Sequence, residues 1–204
     1  MFILMILLIV LLIALVRGGS LLNLLQLPLR WNWIALLALG LQLLIFTPFR
    51  DAPLIDSFIP QLHILSMAIL IGWIAANYRI AGAALLAAGL LANLAAVTAN
   101  GGYMPVDPRL AAYTGQIVRY EGESELIANN SIATDDVQLW ILTDILAVPP
   151  FIPFANVFSI GDVLLMLGGG ILIYRGMFRA AKPPEANQSI NTDLAQPTAQ
   201  EEHV

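Results

Sequence analysis

The sequence predicts an all-α integral membrane protein with five transmembrane helices, and three observations lead to that prediction. Apolar residues make up 59% of the 204 residues, and the mean hydropathy is +0.81, whereas soluble domains are roughly 45–50% apolar. Charged residues make up only 11%, against about 25% in soluble proteins. Five apolar runs approach the roughly 20 residues that a spanning helix needs: 2–16, 31–47, 61–77, 80–99 and 155–174.

The first run is the shortest and must be distinguished from a cleaved signal peptide. A signal peptide begins with basic residues and ends at a small-residue cleavage site. Here the apolar run begins at Phe2, and Arg17 follows it. This order of charge predicts an uncleaved first helix whose N-terminus lies outside.

The basic residues predict the orientation of the bundle, because lysine and arginine mark cytoplasmic connections. They divide six against three between alternate connections; the larger set is Arg17, Arg30, Arg79, Arg175, Arg179 and Lys182, and the smaller set is Arg50, Arg109 and Arg119. With five spans, this division places the N-terminus outside and the C-terminus in the cytoplasm. Trp31, Trp33, Trp73, Tyr78 and Tyr174 then fall at the inner interface, where aromatic belt residues are expected.

The connections complete a single transmembrane domain of residues 1–178. Residues 17–30 are predicted to form either a short amphipathic stretch on the inner surface or an apolar turn that holds two helices together. The outer loop, residues 100–154, is long enough to suggest a function. In it, Asp107 and Pro108 predict a helix start, residues 121–130 a mobile polar stretch, and residues 134–146 a surface helix. Residues 179–204 are predicted to be a disordered polar tail.

The fourth and fifth spans are rich in small residues, which let membrane helices approach closely. Ala81, Ala84, Ala88, Ala92, Ala95 and Ala99 recur at helical spacing in the fourth span, and Gly168, Gly169 and Gly170 follow one another in the fifth. We expect these two helices to form the packed centre of the bundle.

The fifth span also contains the first candidate functional residue, Asp162. An ionised side chain costs roughly 2.5 kcal/mol or more at the centre of a spanning helix, so such residues usually face a bundle interior or a wet cavity. Asn93 of the fourth span is expected at a similar depth. The simplest expectation is an Asn93–Asp162 hydrogen bond between adjacent helices. The alternative is catalysis at Asp162, but aspartyl hydrolysis needs a second carboxylate, which Asp144, Asp135 or Asp136 could supply only if the loop folds back over the bundle.

Other chemistry has less support in the sequence. His63 opens the third span and could ligate a haem or chlorin, although a hydrogen-bonded interface residue is the more common role. We predict neither a metal site nor a cofactor: a tetrahedral site needs three or four ligands, His63 and His203 fall on opposite sides, and cysteine is absent. Without a basic patch interleaved with aromatic residues, nucleic acid is not an expected partner.

Three motifs carry a resemblance to a known family: Arg17-Gly18-Gly19, Asn100 to Pro105 (Asn-Gly-Gly-Tyr-Met-Pro) and Asn156 to Asp162 (Asn-Val-Phe-Ser-Ile-Gly-Asp). Over residues 1 to about 178, the chain resembles a family of small bacterial polytopic membrane proteins of unknown function. The resemblance implies a location in the bacterial inner membrane, and it assigns no activity.

The segment from Asn156 to Asp162 is also similar to the motif that opens the last span of bacterial lipoprotein signal peptidases, which bears one catalytic aspartate. Their preceding outward span ends in an Asn-Leu-x-Asp-Arg-like motif that bears the other. Here the corresponding stretch, Asn93 to Val97, reads Asn-Leu-Ala-Ala-Val, with alanine at the carboxylate position. This resemblance therefore implies an inactive relative or different chemistry.

The sequence leads to two functional hypotheses. The first is a non-enzymatic, multi-pass inner-membrane protein that contacts the lipid bilayer and a protein partner, as an accessory or assembly subunit of a larger membrane complex. The second is an intramembrane aspartyl hydrolase or lipid-processing enzyme centred on Asp162 with Asn93. A small transporter would need a broken helix or an inverted repeat, and the sequence shows neither convincingly.

Overall fold

A computed structural model describes residues 2–46, 57–115, 119–121, 124–127, 130–132 and 136–179. The connection at 47–56 and nearly all of the predicted tail, from residue 180 onward, lie outside these ranges. The predictions made for those two segments therefore stay predictions.

The described chain is mostly helical, and each of the five apolar runs forms a helix. The five helices are α1 (Phe2–Val16), α3 (Asn32–Phe46), α4 (Ile59–Ala76), α5 (Ala83–Ala99) and α7 (Ile160–Met177), while α2 (Leu21–Leu25) and α6 (Pro108–Tyr113) are short helices in the connections. Their starts follow local chemistry. Pro60 occupies the first turn of α4, where its missing N–H costs no helical bond, and Gly82 precedes α5 with a φ of 85°.

Only two of these helices meet the length of a membrane span by themselves. Ile59–Ala76 and Ile160–Met177 are each 18 residues long and apolar enough to cross a membrane, by length and composition, whereas α1, α3 and α5 are shorter. Five apolar helices are therefore present, as predicted. Their lengths by themselves support a membrane span for only two of them.

The helices pack side by side in the order α3, α4, α5, α7 and α1. The most extensive packing joins α5 to α7, as expected from their small residues. At Gly89, an added Cβ would lie 2.6 Å from the carbonyl oxygen of Gly161, and at Gly168 it would lie 2.8 Å from the backbone nitrogen of Leu86. Such approaches leave no room for a side chain, so glycine is required for this backbone contact.

One end of the bundle carries residues 100–158, and we call it the loop end; the opposite end carries Arg17, Arg30, Arg79, Arg175 and Arg179, and we call it the arginine end. At the loop end, β1 (Met104–Val106), β2 (Arg119–Glu121), β3 (Ser124–Ile127) and β4 (Asn130–Ile132) form a sheet in the order β1-β4-β3-β2. The β1–β4 pair is parallel and the other two pairs are antiparallel. A second sheet pairs β5 (Leu146–Ala147) with β6 (Val157–Phe158).

The loop end corrects one prediction. The surface helix predicted at 134–146 is absent from the described part of that segment, which instead forms a 3₁₀ turn at Trp140–Leu142 and then strand β5. The described part of the stretch at 121–130 contributes backbone to β2, β3 and β4, and the predicted mobility of this stretch stays a prediction. The helix at 134–146 was predicted from helical periodicity, but Leu142 instead makes a tertiary contact. It packs against the buried cluster of Met67 in α4, Ala96 and Val97 in α5, and Met104 in β1. Tertiary contact, rather than an amphipathic helix, covers part of this apolar side chain.

Two other predictions for the connections are supported. Asp107 caps α6, since its carboxylate accepts a hydrogen bond from the Arg109 backbone N–H at 2.8 Å. Residues 17–30 contain α2, which is tied to the end of α7: the Ser20 N–H and the Asn23 side-chain amide both donate to the Met177 carbonyl at 3.0 Å. The segment therefore serves as a turn that holds α1 and α7 together.

Candidate functional site

Asp162 lies in the first turn of α7, where its backbone and side chain complete a capping box. Its N–H donates to the Ser159 hydroxyl at 3.0 Å, and the Ser159 N–H donates to its Oδ2 at 3.1 Å. Each residue thus satisfies one backbone donor that the start of the helix leaves without an intrahelical partner. The position also places the carboxylate at the positive end of the helix dipole.

Asn93 of α5 joins this capping box across the helix interface. Its Nδ2 donates to Asp162 Oδ1 at 2.8 Å, and its Oδ1 accepts a hydrogen bond from the Ser159 hydroxyl at 2.8 Å. Asn93 is 5% exposed and Ser159 is fully buried. The expected Asn93–Asp162 hydrogen bond is therefore present, and Ser159, which the sequence analysis did not select, closes the network.

Both oxygens of the Asp162 carboxylate take part in this network. Both carboxylate oxygens accept structural hydrogen bonds, from Asn93 and from the Ser159 backbone. In the described part of the chain, no second carboxylate takes part in this network. The arrangement found is that of a helix cap bonded to a neighbouring helix.

The acidic residues that could have supplied a second carboxylate occupy other positions. The loop does fold back over the bundle: its 3₁₀ turn contacts α5 and α7. Asp144 is 5% exposed, and its N–H donates to the Pro105 carbonyl at 3.0 Å, beside β1. Asp136 is exposed, and Asp135 falls outside the described ranges. The structure thus brings Asp144 into the loop end but does not join it to the Asp162 network.

His63 is buried near the start of α4, with 3% of its surface exposed. Its Nδ1 lies 3.4 Å from the carbonyl oxygen of Gly102, in the turn that follows α5. Gly102 itself has a φ of 94° and contacts Pro60 closely. This geometry fits a histidine that holds the Asn100–Pro105 motif against α4, which is the more common role considered for it. Within the described ranges, no group of three or more metal-ligating side chains is present.

Asparagines attach three connections to the helices, and the sequence analysis did not single them out for this role. Asn100 ends α5 and pairs reciprocally with the backbone of Gln138, through bonds of 2.9 and 3.0 Å. Asn77 ends α4 and pairs in the same way with the backbone of Arg30, at 2.7 and 3.0 Å. Asn23 performs the third attachment, to α7. Asparagine suits the task because its amide carries a donor and an acceptor side by side, but only the tertiary structure identifies which backbone it meets.

The fold and this site define a small protein of apolar helices whose buried polar residues lock helix ends and connections together. A family of unknown function, DUF5317, matches residues 26–174, and the chain belongs to this family. The match includes the motifs at 100–105 and 156–162, whereas Arg17-Gly18-Gly19 precedes it. No curated protein matches the chain, and no solved structure does. The similarity to lipoprotein signal peptidases stays a prediction.

Proposed function

We propose that this chain is a non-enzymatic, five-span protein of the bacterial inner membrane that acts as an accessory or assembly subunit of a larger membrane complex. The observation that carries the non-enzymatic part is the closed network at Asp162. The only carboxylate within the apolar helices of the described chain caps α7 and bonds to Asn93. It is used for structure at the place where an intramembrane hydrolase would need a free acid.

The surfaces of the helices support a membrane location. The two 18-residue helices are only 28% and 22% buried, whereas the central helix of a soluble protein would be mostly buried. Large apolar side chains are exposed along α1 and α3, including Leu4 at 63% and Leu36 at 67%. Such a surface requires lipid or protein to cover it. The shorter α5, with 17 residues, extends about 25 Å, close to the ~30 Å hydrocarbon core.

The role as a subunit is supported by exposed apolar side chains outside the helices. We call this set the loop patch; its residues are Leu139, Trp140, Ile141, Phe151 and Phe154, which are 49–83% exposed. Leu139 and Phe154 have φ values of 51° and 63°, a left-handed conformation that costs bulky residues on the order of 1–3 kcal/mol. Strained backbone that presents apolar side chains to the surroundings is characteristic of a binding surface, so we assign the loop patch to a protein partner in the membrane.

Cross-linking from the loop patch tests this proposal. A photoactivatable phenylalanine analogue replaces Phe151 in the tagged full-length chain, and irradiation of native membranes should give one discrete product larger than 22.1 kDa. The same analogue at Tyr113, which is exposed at the loop end but outside the patch, is the matched control. Extraction in mild detergent should give the same complex, and Trp140→Ser should dissociate it. A strictly monomeric wild-type protein without a cross-linked product would refute the role as a subunit.

The hydrolase alternative makes a different prediction for Asp162→Asn. We expect this variant to support the same growth phenotype as the wild type at equal expression, because the proposal assigns the carboxylate no reaction. Loss of the phenotype in a variant that is still expressed, inserted and folded would favour the enzyme centred on Asp162 with Asn93. Asn93→Ala removes the hydrogen-bond partner of Asp162 and leaves the carboxylate in place. Comparison of the two variants therefore distinguishes a structural role of the contact from a chemical role of the acid.

The chain lends itself to a test of its orientation because it contains no cysteine. Tyr113→Cys should react with a membrane-impermeant maleimide in cells whose outer membrane is permeabilised, since the loop end is proposed to face outward. Phe178→Cys, at the exposed arginine end, should react only after the inner membrane is opened. The reverse pattern would invert the topology, and equal labelling of both positions would argue against a spanning bundle.

A further inference from the structure

A cavity of about 450 Å³ lies at the arginine end of the bundle. Three segments that are distant in sequence form its walls: Pro28 and Arg30 before α3, the turn from Ala76 to Ile80 after α4, and Arg179 after α7. Its volume is within the range of roughly 300–1,000 Å³ that is usual for small-ligand sites. The cavity is separate from the Asp162 network, which lies at the other end of α7.

The walls of the cavity are held in place by hydrogen bonds. Asn77 is 5% exposed, and its side chain accepts from the Arg30 N–H and donates to the Arg30 carbonyl, at 2.7 and 3.0 Å. The Asn77 amide also donates to the Trp73 carbonyl at 2.9 Å. Arg79 Nε donates to the Tyr78 hydroxyl at 2.8 Å. The segment before α3 is thus fixed against the end of α4, and the site does not depend on the loop end.

The charge of the cavity is positive. Arg30, Arg79 and Arg179 line it, and no lining residue is acidic. In the part of the chain that the structure describes, the acidic residues belong to the loop at 100–158 and to the start of α7. The arginine end therefore has no described carboxylate to neutralise these three guanidinium groups. Guanidinium groups bind phosphate oxygens bidentately.

The surroundings of the cavity point to the source of the anion. Trp31, Trp33 and Tyr78 are 61–65% exposed at the same end of the bundle. Tryptophan and tyrosine side chains concentrate at the level of lipid headgroups. Basic pockets between helices on the cytoplasmic side are suited to anionic lipid headgroups. An anion in this cavity would thus lie where the phosphates of the inner leaflet lie.

We infer that this cavity binds a phosphate group, supplied by the headgroup of an anionic phospholipid of the inner leaflet. Arg30, Arg79 and Arg179 would contact the phosphate, and Asn77 would act as a positioning residue that holds Arg30. Occupation would join the ends of α3, α4 and α7 through one ligand. This inference rests on the proposed membrane location and orientation, and it does not depend on the proposed role as a subunit.

Native mass spectrometry of the purified full-length protein tests the inference. The probes are dioleoyl phosphatidylglycerol and dioleoyl phosphatidylcholine, which share acyl chains and a phosphate but differ in net charge. We expect the protein to prefer phosphatidylglycerol, and the double variant Arg79→Gln/Arg179→Gln to bind it about thirtyfold more weakly, which is about fivefold for each arginine. The matched control is Arg17→Gln/Arg175→Gln, which removes two exposed arginines from the same end but outside the cavity and should retain the wild-type affinity.

Further measurements distinguish the possible sources of the anion. The melting temperature should rise with phosphatidylglycerol in the wild type and not in the cavity variant, whose lipid-free melting temperature reports its folding. If that variant does not fold, it is replaced by Arg79→Lys/Arg179→Lys, which keeps the charge but not the bidentate geometry. This variant should show a smaller loss of lipid affinity. An equal loss in the control variant would overturn the site in favour of general surface charge. Displacement of the lipid by millimolar inorganic phosphate would overturn the lipid source. Lipid binding that appears only after the acidic residues of 182–204 are changed to amides would assign the cavity to the tail instead.

Discussion

The network between α5 and α7 gives a quantitative prediction for Asn93→Ala. The substitution removes the donor to Asp162 Oδ1 and the acceptor for the Ser159 hydroxyl, both at 2.8 Å. A hydrogen bond to a charged group contributes roughly 1.5–3 kcal/mol and a neutral one roughly 0.5–1.5 kcal/mol in soluble proteins. Bonds between membrane helices contribute less, about 0.6 kcal/mol on average. Asp162 is only partly buried, so the loss should lie below the sum of the two values for soluble proteins. We expect the free energy of unfolding to fall by about 1–3 kcal/mol.

Equilibrium unfolding in mixed micelles, with increasing sodium dodecyl sulfate and tryptophan fluorescence as the signal, measures this loss. Thr98→Ala is the matched control: Thr98 lies on the same helix, is exposed, and bonds to the carbonyls of Leu94 and Ala95 within its own helix. We expect it to change the free energy of unfolding by less than about 0.5 kcal/mol.

A double-mutant cycle separates the Asn93–Asp162 contact from the loss of either side chain alone. Asn93→Ala and Asp162→Ala should show a coupling of about 0.5–2 kcal/mol, because the two residues bond directly. If Asn93→Ala costs no more than Thr98→Ala, or if the cycle is additive, the network does not hold α5 to α7 and the structural assignment of Asp162 is wrong.

Two further predictions concern packing and attachment. Gly161→Ala should lower the free energy of unfolding by about 1–3 kcal/mol, because its Cβ would overlap the Asn93 side-chain oxygen and lie 2.8 Å from the Gly89 carbonyl oxygen. Gly72→Ala, in open space on α4, should be neutral or stabilising by up to about 1 kcal/mol. Equal effects of the two substitutions would contradict the close approach of α5 and α7. Asn100→Ala should speed hydrogen exchange at the Gln138 amide about tenfold, because that amide loses its bond to Asn100 Oδ1 at 3.0 Å. A decrease of about 1.4 kcal/mol in the free energy of local opening gives this factor of ten. Unchanged exchange would show that other contacts hold the loop.

The sequence predicted the helices well because their signal is local. Each apolar run from Phe2 to Met177 became a helix within a few residues of the predicted bounds, since apolar continuity needs no information from distant residues. The pairing of α5 with α7 also followed from their small residues, whose only packing advantage is close backbone approach. The Asn93–Asp162 bond was predictable for a related reason: two polar residues at equal depth in apolar helices have few other partners.

The loop at 100–158 was predicted less well, because its structure depends on distant residues. The segment at 134–146 has an apolar pattern compatible with a helix, yet Leu142 packs, partly buried, against a cluster of α4, α5 and β1, and the chain then pairs as strand β5 with β6. The strands at 119–132 are short; β2–β3 and β3–β4 pair across short local connections, whereas β4 also pairs with the distant β1, Met104 with Asn130. Strand pairing is decided by register between distant segments, which single-sequence periodicity does not report.

The sequence by itself therefore determined that the chain forms apolar helices, where they lie along the chain, and that Asn93 and Asp162 meet. Hydrophobicity and side-chain size act within each segment, so they can be read from it. Only the tertiary structure decided that Ser159 closes the Asp162 network, that Asn77 and Asn100 attach distant backbone, and that three arginines surround one cavity. These features depend on a few ångströms of distance between segments far apart in the chain, and hydrogen bonds and charge pairs form or fail over that distance.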